Sequence, residues 1–372
     1  MRMRLAASAV VLALVSTACG PRDAPQPTGD AAQPAPVPTP AATPPEPAAT
    51  PAPVPGAIPV TVDNFVRAES DSYIGSMVKD AGGLGKLLHR REPAPLDKQT
   101  VIRLNRDTLY SSAVFDLDAG PATITLPDAK GRFQSLQFIN QDQYAWTEYG
   151  AGPHTVDRKK VGTRYVVAGI RTLVDPGDPK DVEAVHALQD AITVSQPGGP
   201  GSFEAPKWDA VSQKKVRDAL LALGSTLPDF RHAFGSKEQV DPVRRLIGAG
   251  AAWGGNPDKD AVYLNITPTG NDGKTVYTLD VRDVPVEAFW SVSVYNAQGY
   301  YEQNAYNAYT INNLTAKKEA DGSVRIQFGG CDGKIANCLP IVPGWNYTVR
   351  LYRPKAAILD GSWKFPEPKP VG

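Results

Sequence analysis

The run Asn105-Arg106-Asp107-Thr108-Leu109-Tyr110 brings a fixed cation, an acid, an amide and a phenol to the junction of two alternating apolar runs. Two readings follow from those residue types. In the structural one, Arg106 and Asp107 bridge strand ends. A buried arginine cannot lose its proton, so Asp107 is expected to be its partner, directly or through water. In the chemical one, Asp107 is an acid–base group with a raised pKa and Arg106 supplies fixed positive charge. That pair would hydrolyse a substrate in an interdomain cleft if a second acid or a positioned water lay in reach. Asn105 and Tyr110 would then line the ligand side.

A second constellation comprises Tyr295, Tyr300, Tyr301, Asn304, Tyr306, Asn307 and Tyr309, with Arg350 and Arg353 further on. So many Tyr and Asn residues in one connection could line a cleft that takes planar or sugar-like ligands by stacking and amide hydrogen bonds. Equally, the aromatics could plug the end of a sandwich with their hydroxyls bonded to backbone.

Other chemistries find little support. His89, His154, His186 and His232 stand far apart with no H-x-H or H-E-x-x-H spacing, so no metal and no cofactor is expected. No G-x-S-x-G occurs. Ser76-Met77-Val78-Lys79 fits S-x-x-K, but its partner motifs are missing and the serine falls in an amphipathic helix. Gly270-Asn271-Asp272-Gly273-Lys274-Thr275 lacks the phosphate-loop spacing and reads as a hairpin turn. The chain balances 39 basic against 39 acidic residues, which leaves no electrostatic footprint for nucleic acid.

The elements that must position these residues follow from periodicity. Residues 62–80 place Val62, Phe65, Val66, Tyr73, Ile74, Met77 and Val78 at helical spacing, with Asp63 as cap and Gly82-Gly83 as stop. Strand-like runs cover 99–105, 108–117, 122–127, 132–140 and 164–170, with a turn at 128–131. Residues 179–194 and 208–223 return to helical period, and Asp241-Pro242 opens a third helix. The Gly/Ala-rich 248–255 stretch reads as a close-packed helix end. Beyond it, 261–267, 275–281 and several later runs alternate as strands, the first two as a hairpin.

Residues 1–18 carry Arg2 and Arg4, an apolar run from Leu5 to Val15 and then small residues, the pattern of a secretory signal peptide. The apolar run is too short to span ~30 Å of hydrocarbon as a helix. Ser16-Thr17-Ala18-Cys19 resembles a bacterial lipobox, with Ser16 where Leu is more usual. The resemblance implies lipidation of Cys19 and attachment to a lipid bilayer. A plain cleavage site near Ala18 is the alternative. Gly20 is not Asp, which for such lipoproteins implies the outer membrane. Residues 21–59 hold 14 of the 35 prolines and no aromatics, so 19–59 is expected to be an extended tether. In an exported chain, Cys331 and Cys338 can close a local disulfide.

Two longer stretches resemble known families. Residues 105–140 are similar in residues and order to the core of a DUF1254 domain. FWSVSVYN (289–296), Asn304, the Tyr306–Tyr309 run, DGS (321–323), NCLP (337–340) and RLYRP (350–354) resemble a DUF1214 domain, in which Trp more often stands at the Cys338 position. The expected fold is α+β. Two antiparallel β-rich domains, at 60–175 and 258–372, flank a helical segment at 176–257, and the second domain is a β-sandwich or jelly roll. The expected function is an exported, membrane-tethered protein on the periplasmic side of the envelope that binds a small polar or sugar-like ligand or serves an envelope role. A hydrolase using Asp107 and Arg106 is the alternative.

Overall fold

The computed structural model describes residues 55–99 and 101–371, which fall in one unit. The signal segment, Cys19 and the tether to residue 54 lie outside the described residues. The fold is α+β, with sheets almost wholly antiparallel.

A five-stranded sheet forms the first region, in the order Leu88–Arg90, Thr108–Asp116, Tyr165–Leu173, Gln134–Asn140, Ala145–Tyr149. One face, with Phe115, Leu136, Phe138, Val166 and Ile170, closes on a three-stranded sheet of Gly152–Val156, Ala122–Leu126 and Thr193–Ser195. The other face meets the helix Phe65–Ala81, which buries Phe65, Ala68 and Ile74. Asn64, not Asp63, occupies the N-cap. At the other end Gly82 (φ 72°) takes the left-handed conformation, and its N–H and that of Gly83 return to the Lys79 and Val78 carbonyls.

Three helices follow: Pro179–Asp190, Ala210–Gly224 and Pro242–Ala251. Asp178, Asp209 and Asp241 cap them, each accepting a backbone N–H of the first turn. Gly248 and Gly250 sit tight against Phe234 and Leu220, as a close-packed helix end requires.

The second region is a sandwich. One sheet runs Thr310–Asn312, Trp290–Tyr295, Asn346–Tyr352, Ala261–Ile266. The other runs Cys338–Leu339, Val324–Phe328, Tyr277–Val281, Lys369–Pro370. Val292, Val294, Tyr347, Val349 and Leu351 meet Leu279, Val281, Ile326 and Phe328 around the buried Trp345. The opposite face of the first sheet carries Ser291, Ser293, Tyr295, Thr348, Arg350 and Tyr352. It is buried as well, against the first region.

Three expectations fail. Residues 99–105 alternate like a strand, but 101–103 form a turn and the partners of this segment are loop atoms of the second region: the Gln99 side chain donates to the Tyr301 carbonyl, and the Arg103 N–H to the Gly299 carbonyl. The helix at 179–194 stops at Asp190, and Thr193–Ser195 pairs with Ala122–Leu126 instead. The expected hairpin at 270–275 does not form, whereas the expected turn at 128–131 is present. The chain at 128–131 and that at 270–275 each pass from one sheet to another, so alternation identified the strands but not their partners.

The structure joins Cys331 and Cys338 by a disulfide across the loop leading into the Cys338–Leu339 strand. A ring this short is worth about 2.5 kcal/mol in the loop-entropy account. Replacing both cysteines by serine should lower the free energy of unfolding in urea by about that much. An unchanged urea midpoint would show that the loop is held by its hydrogen bonds alone.

Candidate functional site

The structure separates Arg106 from Asp107. The two residues stand at a bend just before the Thr108–Asp116 strand, where Asn105 Oδ1 accepts the Asp107 N–H, and their side chains take different partners. Arg106 is half-buried, donates to the Ala94 carbonyl and lies 5.3 Å over the Tyr309 ring. Asp107 is fully buried. Ser291 and Thr310 of the sandwich donate hydroxyl hydrogen bonds to it at 2.6 and 3.1 Å. Burial pushes its carboxyl above the ordinary aspartate range. The Arg350 charge and those two hydrogen bonds offset only part of that rise. An acid sealed in this way has no open face toward a substrate, so the geometry does not favour the hydrolase reading.

The Tyr/Asn connection divides. Tyr295, Tyr301 and Tyr309 are buried together beside Leu96 and Leu104. The hydroxyls of Tyr295 and Tyr301 each donate to the Leu104 carbonyl at 2.9 Å, the arrangement of a plug. Arg350 is buried behind them. It donates to Ser293 Oγ (2.8 Å), the Arg103 and Leu104 carbonyls (2.8 and 3.1 Å) and Tyr295 Oη (2.7 Å). Asn304 organises its own turn, accepting from the Tyr306 and Ala308 N–H groups. Tyr306 and Asn307 are exposed, and Tyr306 donates to the Cys331 carbonyl. These residues do not share a cleft with Asn105 and Tyr110.

Asn105 and Tyr110 belong to a different place. Asn105 Oδ1 accepts the Asp107 N–H at 2.9 Å, which fixes the amide so that Nδ2 faces Thr108 Oγ1 (3.0 Å), Tyr110 Oη (3.0 Å) and Tyr352 Oη (3.2 Å). This amide stands at the end of a bare strip on the five-stranded sheet. On one side of the strip, Val114, Val167 and Ile139 pack with Ile74 and Leu84. On the other, Leu173 packs with Ala261, Phe289 and Tyr352. Between them Ser112 and Gly169, paired in register, stay half-exposed. A Cβ built on Gly169 would meet only the Gln137 carbonyl oxygen, at 3.9 Å. Glycine inside a strand commonly marks a close approach by another group, and none of the described residues makes that approach here.

The next cross-strand pair is Tyr110 and Arg171, with the guanidinium carbon 5.5 Å from the ring centre. Arg171 donates to Gln137 Oε1 at 2.6 Å. The Gln137 amide in turn donates to the Gly255 carbonyl at 2.8 Å, and the neighbouring Asn256 donates to Tyr263 Oη at 2.6 Å. Tyr110, Arg171 and Tyr263 are enclosed by protein atoms yet remain half-exposed, as the lining of a groove does. Burial pushes the Tyr110 phenol up, but Arg171 and the Asn105 and Thr108 hydrogen bonds outweigh it and leave Tyr110 below an ordinary tyrosine. Burial leaves Tyr263 and Tyr352 above one.

Sequence reasoning reached Asn105 and Tyr110 but missed Ser112, Gly169, Arg171 and Tyr263. The available signal was Gly169 followed two residues later by Arg171 within the apolar run Tyr165–Leu173, since a glycine and a cation on one strand face do not build a core. Among the described residues, no group of three or more His, Cys, Asp or Glu side chains is arranged to hold a metal, and no helix is long and apolar enough to cross a membrane.

Removing the Asp107 carboxylate by Asp107→Ala leaves Arg350 and two hydroxyls uncompensated and should cost about 3–5 kcal/mol in urea melts. Asp107→Asn isolates the charge. The folded pKa lies above the unfolded ~3.9, so the native state holds a proton that the unfolded chain has released. The resulting stability is fully present below ~3.9 and is lost as pH rises through the folded value. Wild type should therefore gain on Asp107→Asn as the pH is lowered. A gap moving the other way would mean that Arg350 outweighs burial.

The comparisons with known proteins fit this architecture. No curated protein matches the chain. Among solved structures, it is similar to the crystal structure of the VPA0106 protein from Vibrio parahaemolyticus, at 17% identity and a TM-score of 0.65, over 84% of this chain and 98% of that one. That likeness shows the fold. An uncharacterized protein from Burkholderia cenocepacia aligns at 11% identity with a TM-score of 0.47, over 83% of this chain and 86% of that one. Residues 84–169 match the model of DUF1254 and residues 263–356 that of DUF1214, each described as a protein of unknown function. The chain thus carries a DUF1254 domain followed by a DUF1214 domain, with Tyr110, Gly169, Tyr263 and Tyr352 falling inside the matched segments and Arg171 just beyond the first.

Proposed function

We propose that this chain is an exported lipoprotein, anchored to the outer membrane through Cys19, that binds a small polar molecule in the groove over Gly169. The observation that carries the binding part is the uncovered strip of sheet at Ser112 and Gly169, walled by Tyr110 and Arg171. A core sheet normally covers its faces, because each exposed apolar strand position forgoes burial worth ~25 cal/mol per Å². Here the exposed positions carry the smallest residue, a hydroxyl, a phenol and a guanidinium, a composition suited to a ligand rather than to packing. The anchoring part rests on the signal-like segment and the position of Cys19. Two or more acyl chains would make attachment stable, where one gives only marginal binding.

Gly169→Val tests the groove. Valine suits a strand better than glycine, so stability should hold or rise by up to about 1 kcal/mol. Its methyl groups would occupy the strip. In a thermal-shift screen of monosaccharides, small carboxylates, carboxamides and inorganic phosphate, some probe should stabilise the wild-type protein and fail to stabilise Gly169→Val. If every probe that shifts wild type shifts the variant equally, the groove is not the site.

Cys19→Ala should move the protein from the membrane fraction to the soluble one and abolish incorporation of an alkyne-bearing palmitate analogue. Wild-type protein that takes up no label would refute the anchor.

A further inference from the structure

We infer that the ligand of this groove is a small organic carboxylate, held by Arg171. The inference rests on the binding role proposed for the groove and adds the chemical class of what is bound. Its basis is the set of partners Arg171 has. Arg171 donates to Gln137 Oε1 and is hydrogen-bonded to the Tyr110 hydroxyl, both of them neutral groups. It forms no salt bridge with any described carboxylate. Asp107, the buried acid of this seam, is engaged by Ser291 and Thr310. Asp80 is at the surface with Arg90, the residue paired with Tyr110 on its other side.

Three phenols belong to the same network. Tyr110 and Tyr352 each accept from the Asn105 amide, and Tyr263 accepts from the Asn256 amide. An oxygen that accepts from an amide still has its own hydrogen to donate; Tyr110 shares a hydrogen bond with the Thr108 hydroxyl, while Tyr263 and Tyr352 have no acceptor among the described residues. Tyr352 is almost completely buried, where an unused hydroxyl hydrogen is costly. The Asn105 amide binds Tyr110 and Tyr352 together, and the Gln137–Gly255 and Asn256 bonds bring Tyr263 to the same side as Arg171. The groove therefore presents a half-exposed cation that has no carboxylate partner among the described residues, flanked by the Tyr110 and Tyr263 hydroxyls. A neutral sugar would leave the Arg171 charge uncompensated. A carboxylate brings acceptors only, and its planar pair of oxygens matches the planar fork of a guanidinium.

The test is isothermal titration of the full chain with acetate, succinate and benzoate, each beside its neutral amide, and with inorganic phosphate. At least one carboxylate should bind at millimolar concentration or tighter, with its amide about 10- to 100-fold weaker. Arg171→Gln should weaken the carboxylate by a similar factor, and Gly169→Val should abolish binding. Tyr110→Phe, which keeps the ring, should weaken it several-fold. A melting temperature within a few degrees of wild type confirms that each variant is folded. Should Arg171→Gln unfold, Arg171→Lys, which keeps the charge but loses the planar edge, takes its place.

Amides that bind as well as carboxylates, with Gly169→Val abolishing both, would overturn the carboxylate assignment and leave the groove standing. Phosphate binding tighter than every carboxylate, or no carboxylate binding at all, would overturn it too. Carboxylate binding untouched by Gly169→Val and Arg171→Gln would place the ligand elsewhere and overturn both readings.

Discussion

Arg350 sets the terms for how the two regions meet. Its guanidinium is buried and cannot discharge, so every N–H that faces protein needs an acceptor. Its own strand supplies none. The acceptors come from Ser293 and Tyr295 on the neighbouring strand, and from the Arg103 and Leu104 carbonyls of the first region. The segment entering the Thr108–Asp116 strand is therefore held where its carbonyls reach Arg350. The Leu104 carbonyl also takes the hydroxyls of Tyr295 and Tyr301. Asp107 is carried into the seam by the same segment and supplies the compensating charge without a direct ion pair. Moving this segment would strand a cation, an anion and several hydroxyls at once, and a half-satisfied polar network is worse than an apolar contact.

This requirement explains the unusual sandwich sheet. A half-buried strand normally turns one face to the core and one to water. In Trp290–Tyr295 and Asn346–Tyr352 both faces are buried, one apolar against the opposite sheet and one polar against the first region. Period-two alternation is preserved although neither face meets solvent.

That distinction marks how far the sequence could be read. Alternation at 108–117, 122–127, 132–140 and 164–170 located the strands to within a few residues, since side-chain period is a local property. Partner choice is not local. The turn-like residues at 128–131 and 270–275 have the chemistry of a hairpin, but which sheet receives the next strand depends on surfaces far away in sequence. The Arg106–Asp107 pair failed because neighbours in sequence need not be partners in space: Arg106 turns to the Ala94 carbonyl and the Tyr309 ring. Asp107 found its partners roughly two hundred residues on, at Ser291 and Thr310. Tyr295 and Tyr309 presented the same residue types as Tyr110, and only their burial separates plug from groove. The resemblance to DUF1254 and DUF1214 fixed the order of the regions and could say nothing of the seam, which neither domain contains alone.

The groove is the other half of the same construction. The polar network around Arg350 draws its acceptors from both regions. The network around Arg171, built from the same residue types and only a few residues away across the seam, includes no carboxylate among the described residues. Asn105 belongs to both. Its carbonyl oxygen holds the Asp107 backbone N–H, and its amide holds Tyr110 and Tyr352. Filling the gap would have been easy in stability terms, since valine at Gly169 would favour the strand and an acid near Arg171 would neutralise it. A fold that ties one buried guanidinium to four acceptors across the seam and leaves its neighbour half-exposed without a carboxylate keeps an unfinished polar site. Such a site is complete only when something rich in acceptors lies on Gly169.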